Sequence, residues 1–253
     1  MKTVSLSSNM IYTGNLILVN RHYPYKKSSA DISLVSVGSA DNNVFLDRQY
    51  ATIYAKLIDD LCAWEQIKAI SGWRSQQEQE QIYNESLVEN GEDFTTKYVA
   101  LPGHSEHQTG LAVDLALNQP DIDFLRPYFP YTGICGDFRN KTGHYGFIER
   151  YPKGKENITG ISYEPWHFRY VGAPHSMIMN RMGDTLEEYH ARLKQFPYGY
   201  KPLKYDFGGS VIEISYLAAD KEITVFEIER DTVYIVSGNN MDGFIITVWR
   251  EKQ

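Results

Sequence analysis

His107 and Asp114 stand seven positions apart with Gly110 between them, and this spacing constrains the fold more than any other feature of the chain. On one helix the pair would lie about 10 Å apart along the axis. On a straight strand an odd separation sends the two side chains to opposite faces. If they are to meet at one point the backbone must turn between them, and Gly110 is the residue able to turn it. The spacing therefore predicts His107 in a loop and Asp114 on the strand that follows. Leu111 to Leu117 alternates accordingly: Leu111, Val113, Leu115 and Leu117 fall on one face, and Ala112, Asp114 and Ala116 on the other. An aspartate amid such an apolar run needs a partner, and the small residues beside it leave room for one.

A second cluster supplies candidates. In Glu164-Pro165-Trp166-His167 the proline pushes Glu164 away from helical geometry, which predicts an extended segment. Such a segment could carry His167 to the same point and hold Glu164 near it. Two imidazoles, one carboxylate and a spare glutamate are the inventory of a catalytic zinc site with a general base beside it. His104, three residues before His107, is an alternative ligand. It ranks lower because only His107 has the Gly110 turn leading into Asp114. His22, His144, His175 and His190 read as structural. Plain readings also exist for the carboxylates: Asp114 as a turn or capping group, Glu164 as a salt-bridge partner of Arg169.

Composition narrows the class. At 253 residues, 42% hydrophobic and 23% charged, the chain has ordinary globular values and enough length for one sizeable core with a small appendage. A net charge of −7 without a basic run argues against electrostatic binding to nucleic acid or to an anionic membrane. No apolar run approaches a membrane span, and Met1 to Asn9 makes a poor signal peptide. Cys62 and Cys135 are too few for a disulfide framework, so a reducing, cytoplasmic setting is expected.

The pattern of elements predicts an α+β protein. Asn15 to Asn20 reads as a strand, Phe45 to Trp64 as an amphipathic helix, and Lys68 to Trp73 as a short strand. Ser75 with Glu78 three positions later is a capping-box signature for a helix to about Val88, stopped by Asn90-Gly91. Arg74 thus falls between a strand end and a helix start. Pro152 to Gly160 reads as a polar loop, and Gly172 to Arg181 and Asp184 to Phe196 as two helices. Residues 197–209 look like a linker. Ser210 to Tyr216, Ile223 to Ile228, Thr232 to Ser237 and Gly243 to Trp249 read as strands of a small β-meander. The expected organisation is a body over 1–196, a linker over 197–209 and an appendage over 210–253. That appendage could be a dimer contact, a lid or a stabilising sheet, and a homodimer is left open.

Ser105-x-His107-x-x-Gly110-x-Ala112-x-Asp114 followed by Glu164-Pro165-Trp166-His167 resembles the signature of the zinc D-alanyl-D-alanine peptidases. This is the VanX/VanY group, which includes the VanXY-type enzymes of vancomycin-resistant bacteria. Ser71-Gly72-Trp73-Arg74-Ser75 with Gln79 and Tyr83, Tyr145 to Ile148 with Arg150 to Pro152, and Ile158 to Gly160 through Phe168 to Gly172 also look like that group. The resemblance covers roughly Asn15 to Phe196 and implies a hedgehog-like body with an antiparallel sheet and flanking helices. It implies His107, Asp114 and His167 as zinc ligands, Glu164 as catalytic base, and Arg74 facing the substrate carbonyl. Ser105 and Gln79 would hold the substrate's terminal carboxylate, and Trp166 would pack beneath the site. The implied activity is hydrolysis of D-Ala-D-Ala, as the free dipeptide or at the end of wall pentapeptide precursors. An endopeptidase on the same zinc fold and a non-catalytic wall-peptide-binding module are the alternatives. A dipeptidase would also need an acid for the free ammonium, for which Asp137 is one candidate.

Overall fold

The computed structural model describes residues 1–26, 32–37 and 43–252. It divides into two compact units, Val19–Thr185 and Met1–Leu18 together with Leu186–Gln253. In chain order, β1 (Lys2–Ser7) belongs to the smaller unit. The larger unit opens with β2 (Leu34–Ser36), β3 (Phe45–Asp47), α1 (Arg48–Asp60) and β4 (Ile67–Ser71). It continues with α2 (Gln76–Asn90), α3 (Glu92–Tyr98), a single 3-10 turn over Glu106–Thr109, and β5 (Ala112–Leu117). It ends with α4 (Gly133–Thr142), β6 (Phe147–Tyr151), α5 (Glu156–Thr159), β7 (Glu164–Tyr170) and α6 (His175–Met182).

The centre of the larger unit is a four-stranded antiparallel sheet in the order β4-β5-β7-β6. Side-chain alternation gives each strand two faces. Val113 and Leu115 of β5 join Trp166, Phe168 and Tyr170 of β7 in one buried cluster. Against them packs α1, whose buried Tyr50, Ala51, Tyr54, Leu57 and Ile58 recur at helical spacing. Burying a large apolar side chain is worth about 1.5–3 kcal/mol, so this face anchors the sheet. Asp114 pairs with His167, and Ala112 with Arg169, across β5 and β7. The apolar face thus holds rigid the two strands that carry the polar cluster.

Local signals set the helix starts near the site. Asp47 caps α1 by accepting from the Gln49 amide at 3.1 Å. At α2 the Ser75 hydroxyl accepts from the Glu78 amide at 3.1 Å while Glu78 accepts from the Ser75 amide at 2.7 Å, the capping box expected from the sequence. Gly91, with φ of 79°, ends α2 as expected, and α3 starts directly after it. The segment 152–160, expected as loop, contains the single turn α5, because Gly160 offers a left-handed cap at φ 77°.

The smaller unit adds α7 (Leu186–Leu193), β8 (Leu203–Phe207), β9 (Ser210–Ala218), β10 (Ile223–Ile228), β11 (Val233–Gly238) and β12 (Gly243–Glu251). The expected C-terminal strands form, but they do not pair in meander order. One sheet runs β11-β12-β9-β8, while β10 pairs antiparallel with β1 from Lys2↔Ile228 to Ser7↔Ile223. The physical reason is burial: Leu6 of β1 joins Phe226, Ile228, Phe244, Ile246 and Val248 in one apolar cluster. Residues 203–207 of the expected linker are β8, and the compact larger unit ends at Thr185, short of the expected Phe196. No strand forms over 15–20, where Leu16 and Leu18 are buried and their amides bond to Ser237 Oγ at 3.0 Å and to the Asn239 carbonyl at 3.2 Å.

Candidate active site

The turn demanded by the His107–Asp114 spacing is present. His107 lies in the 3-10 turn, Gly110 follows in the left-handed region at φ 71°, and Asp114 sits on β5. His167 arrives on β7 directly opposite Asp114. The three residues are buried, and one ligand atom from each lies within 4.8 Å of the others. His104 is outside this group; its Nδ1 is 2.7 Å from the Asn20 carbonyl.

The hydrogen bonds sort the ring nitrogens. His107 Nδ1 is 2.6 Å from the Gly72 carbonyl oxygen, which leaves Nε2 facing Asp114 Oδ2 at 3.1 Å. His167 turns the opposite nitrogen inward: Nδ1 is 2.9 Å from Asp114 Oδ1, and Nε2 faces Glu106. Two imidazoles and one carboxylate converging on one point are the three-protein-ligand set of a catalytic zinc site, with further coordination left for water or substrate. The donor chemistry and the buried convergence fit such an ion. The fourth side is a cavity of about 300 Å³ lined by the cluster together with Arg74, Gln79, Ser105, Tyr151, Glu164 and others.

Burial and neighbouring charge set the protonation of the group. Burial lowers His107, helped by Arg74, to about 4 against the pull of Asp114. Burial would lower His167 too, but Asp114 overcomes it and the imidazole rises to about 9. Asp114 itself, despite burial, is held far below the usual carboxylate range by the two histidines. Glu164 is pushed up to about 8, chiefly by burial, with His167 drawing it down and Asp114 pushing it up. Its Oε2 lies 3.8 Å from His167 Nδ1, beside the cluster.

Arg74 occupies the junction between β4 and the Ser75 cap. Its amide donates to the His107 carbonyl at 3.3 Å, and its Nη2 lies 3.7 Å from Asp114 Oδ2. Gln79 is one helical turn further on and buried, where its Oε1 accepts from Arg74 Nη1 at 3.0 Å and its Nε2 donates to the Ala100 carbonyl at 2.8 Å. Its carbonyl oxygen is thus committed to holding Arg74, and an amide N–H is what it can still offer. Ser105 is buried on the cavity wall. Trp166 is buried in the sheet core and also reaches the cavity. Arg169 does not pair with Glu164; its Nη1 donates to Glu106 at 2.8 Å.

Three contributors escape sequence reasoning. Tyr151 packs against His167 with ring centroids 4.9 Å apart and lines the cavity. The Gly72 carbonyl orients His107, and a backbone atom leaves no trace in residue type. Glu106 stands inside the first motif yet reads there as one more polar turn residue. Its signal is the pair of arginines, Arg150 and Arg169, each fully buried in its strand and in need of an acidic partner.

Comparisons with known proteins agree with one another. The sequence profile of VanY, D-alanyl-D-alanine carboxypeptidase, matches residues 44–173. The bifunctional D-Ala-D-Ala dipeptidase and D-Ala-D-Ala carboxypeptidase VanXYC of Enterococcus gallinarum is 43% identical over 181 residues, 71% of this chain and 95% of that protein. A crystal structure of the vancomycin resistance D,D-dipeptidase VanXYg in complex with a D-Ala-D-Ala phosphinate analog superposes with a TM-score of 0.93 at 48% identity, covering 98% of this chain and 99% of that one. A mutant of the D,D-pentapeptidase VanY from a VanB-type resistance cassette, in complex with Zn(II), matches with a TM-score of 0.56 at 32% identity over 70% of this chain and 98% of that one.

Proposed function

Since this chain belongs to the VanY family of D-alanyl-D-alanine carboxypeptidases, we propose that it is a zinc peptidase that hydrolyses D-Ala-D-Ala. Its substrates are D-Ala-D-Ala as the free dipeptide, the C-terminus of peptidoglycan pentapeptide precursors, or both, and their hydrolysis depletes the target of glycopeptide antibiotics. The observation that carries this reading is the convergence of His107, Asp114 and His167 beside Glu164 and Arg74 at one end of a cavity. His107, Asp114 and His167 would hold the ion. Zinc bound there supplies Lewis-acid chemistry, acidifying water and polarising a carbonyl.

The chain's own residues do the rest. Glu164 takes a proton from the attacking water and delivers it to the leaving amine. Burial pushes the Glu164 carboxyl up to about 8, and a zinc ion held beside it would draw it back toward the carboxylate that accepts a proton. Arg74 presents its guanidinium where negative charge develops on the carbonyl oxygen, and preorganised donors of this kind supply several kcal/mol. Gln79 fixes the Arg74 fork, and its remaining N–H with the Ser105 hydroxyl receives the substrate carboxylate. Among the described residues, no helix is long and apolar enough to cross a membrane. The cytoplasm suits these substrates and the two unpaired cysteines.

Product analysis tests the reading. Incubation with free D-Ala-D-Ala and with a wall pentapeptide should release D-alanine from one or both. Cleavage only inside wall peptides would replace it with an endopeptidase, and no cleavage of any wall peptide by zinc-loaded protein would leave a binding module.

A further inference from the structure

Glu106 is buried between Ser105 and His107, and the chemistry above does not use it. Its Oε1 accepts from Arg150 Nε and from Arg169 Nη1, each at 2.8 Å. Its Oε2 has no hydrogen-bond partner, and neither has Nε2 of His167. These two buried atoms face one another at 3.6 Å. A buried polar atom left unpaired is costly, and an approach of about half an ångström would bring this pair within hydrogen-bond range. On the other side of the ring, Nδ1 of His167 faces Asp114 and Glu164.

We propose that Glu106 is a positioning residue for the metal: it accepts the Nε2 proton of His167, so that Nδ1 is the nitrogen free to coordinate. The inference rests on the zinc reading above. Arginine side chains only donate, so Arg150 and Arg169 anchor Oε1 and keep the carboxylate charged. That anchoring also aims Oε2 at the imidazole. Carboxylates that hydrogen-bond the outer nitrogen of a metal-binding histidine fix its tautomer and orientation and raise its basicity. Glu106 has the geometry for that task, held by partners 44 and 63 residues away in sequence.

The test is Glu106→Gln. The arginines require the amide oxygen, which turns the NH2 group toward His167 Nε2 and makes that nitrogen an acceptor. Nδ1 would then carry the proton, the wrong tautomer for coordination. Zinc affinity measured by chelator competition should weaken about 10–100-fold. Leu57→Ala, a core truncation in α1, should lower the Tm while leaving zinc affinity at the wild-type value. Folded Glu106→Gln protein with unchanged zinc affinity overturns the proposal while leaving the zinc reading intact. Wild-type protein that binds no zinc overturns both. Should Glu106→Gln not fold, cadmium-substituted wild-type protein decides: metal coupling to Nδ1 with a protonated Nε2 supports the assignment, and metal coupling to Nε2 overturns it.

Discussion

Glu106 and Glu164 are both buried and both approach the His167 ring, one at each nitrogen, yet their surroundings drive them to opposite states. Burial alone would raise either carboxyl. At Glu106, Arg150 and Arg169 overcome that burial and hold the group well below the usual carboxylate range. At Glu164 burial wins: His167 draws it down, Asp114 pushes it up, and it settles at about 8. A carboxylate that stays charged is suited to orienting a neighbour. One near neutrality is suited to taking a proton and giving it back. Residue type and burial are the same in the two regions, so the cations around each carboxyl set its task.

The largest expected effect breaks the comparison at its catalytic end. Glu164→Gln should lower kcat about a thousandfold while bound zinc, measured by atomic absorption, stays stoichiometric. Normal turnover would remove Glu164 from the mechanism. Arg74→Ala should cost about a hundredfold in kcat, with the larger part of the loss in kcat rather than KM in steady-state assays. A change confined to KM would make Arg74 a substrate-binding group only.

A third expectation concerns protons. Without metal, His167 at about 9 and Glu164 at about 8 both hold protons at pH 7. A coordinating imidazole must be unprotonated, so zinc binding at pH 7 should expel about one proton or more. Because a rising pH strips that proton beforehand, affinity should climb with pH and level off above about 9. Calorimetry in buffers of different ionisation enthalpy reads the proton count, and an enthalpy independent of buffer would contradict it. The smallest effect sharpens the geometry. Gly110→Ala should destabilise the fold by about 1–2 kcal/mol, read from denaturant midpoints, because the added methyl sits in the left-handed region near the Asp47 amide.

How much of this could be read from the chain follows from how local each constraint is. His107, Gly110 and Asp114 were legible because seven residues admit few ways for two side chains to meet, and a left-handed glycine is one of them. The Ser75 cap and the Glu-Pro break were legible for the same reason. Glu106 was not, since its partners come from β6 and β7. The commitment of Gln79 to Arg74 and Ala100 likewise depends on a segment 21 residues away in sequence. The pairing of β10 with β1 joins opposite ends of the chain, and periodicity within either strand cannot choose that partner. The expected strand at Asn15–Asn20 has the right residues, but its buried amides bond to a side chain and a loop carbonyl rather than to a ladder.

Zinc dependence of hydrolysis tests the central claim most directly. Wild-type protein stripped with a chelator should lose activity on D-Ala-D-Ala and on a D-Ala-D-Ala-terminated pentapeptide, and one equivalent of zinc per chain should restore it. Full hydrolysis by the metal-free protein would contradict the account, because Glu164 and Arg74 would then be acting without the ion that His107, Asp114 and His167 are proposed to hold.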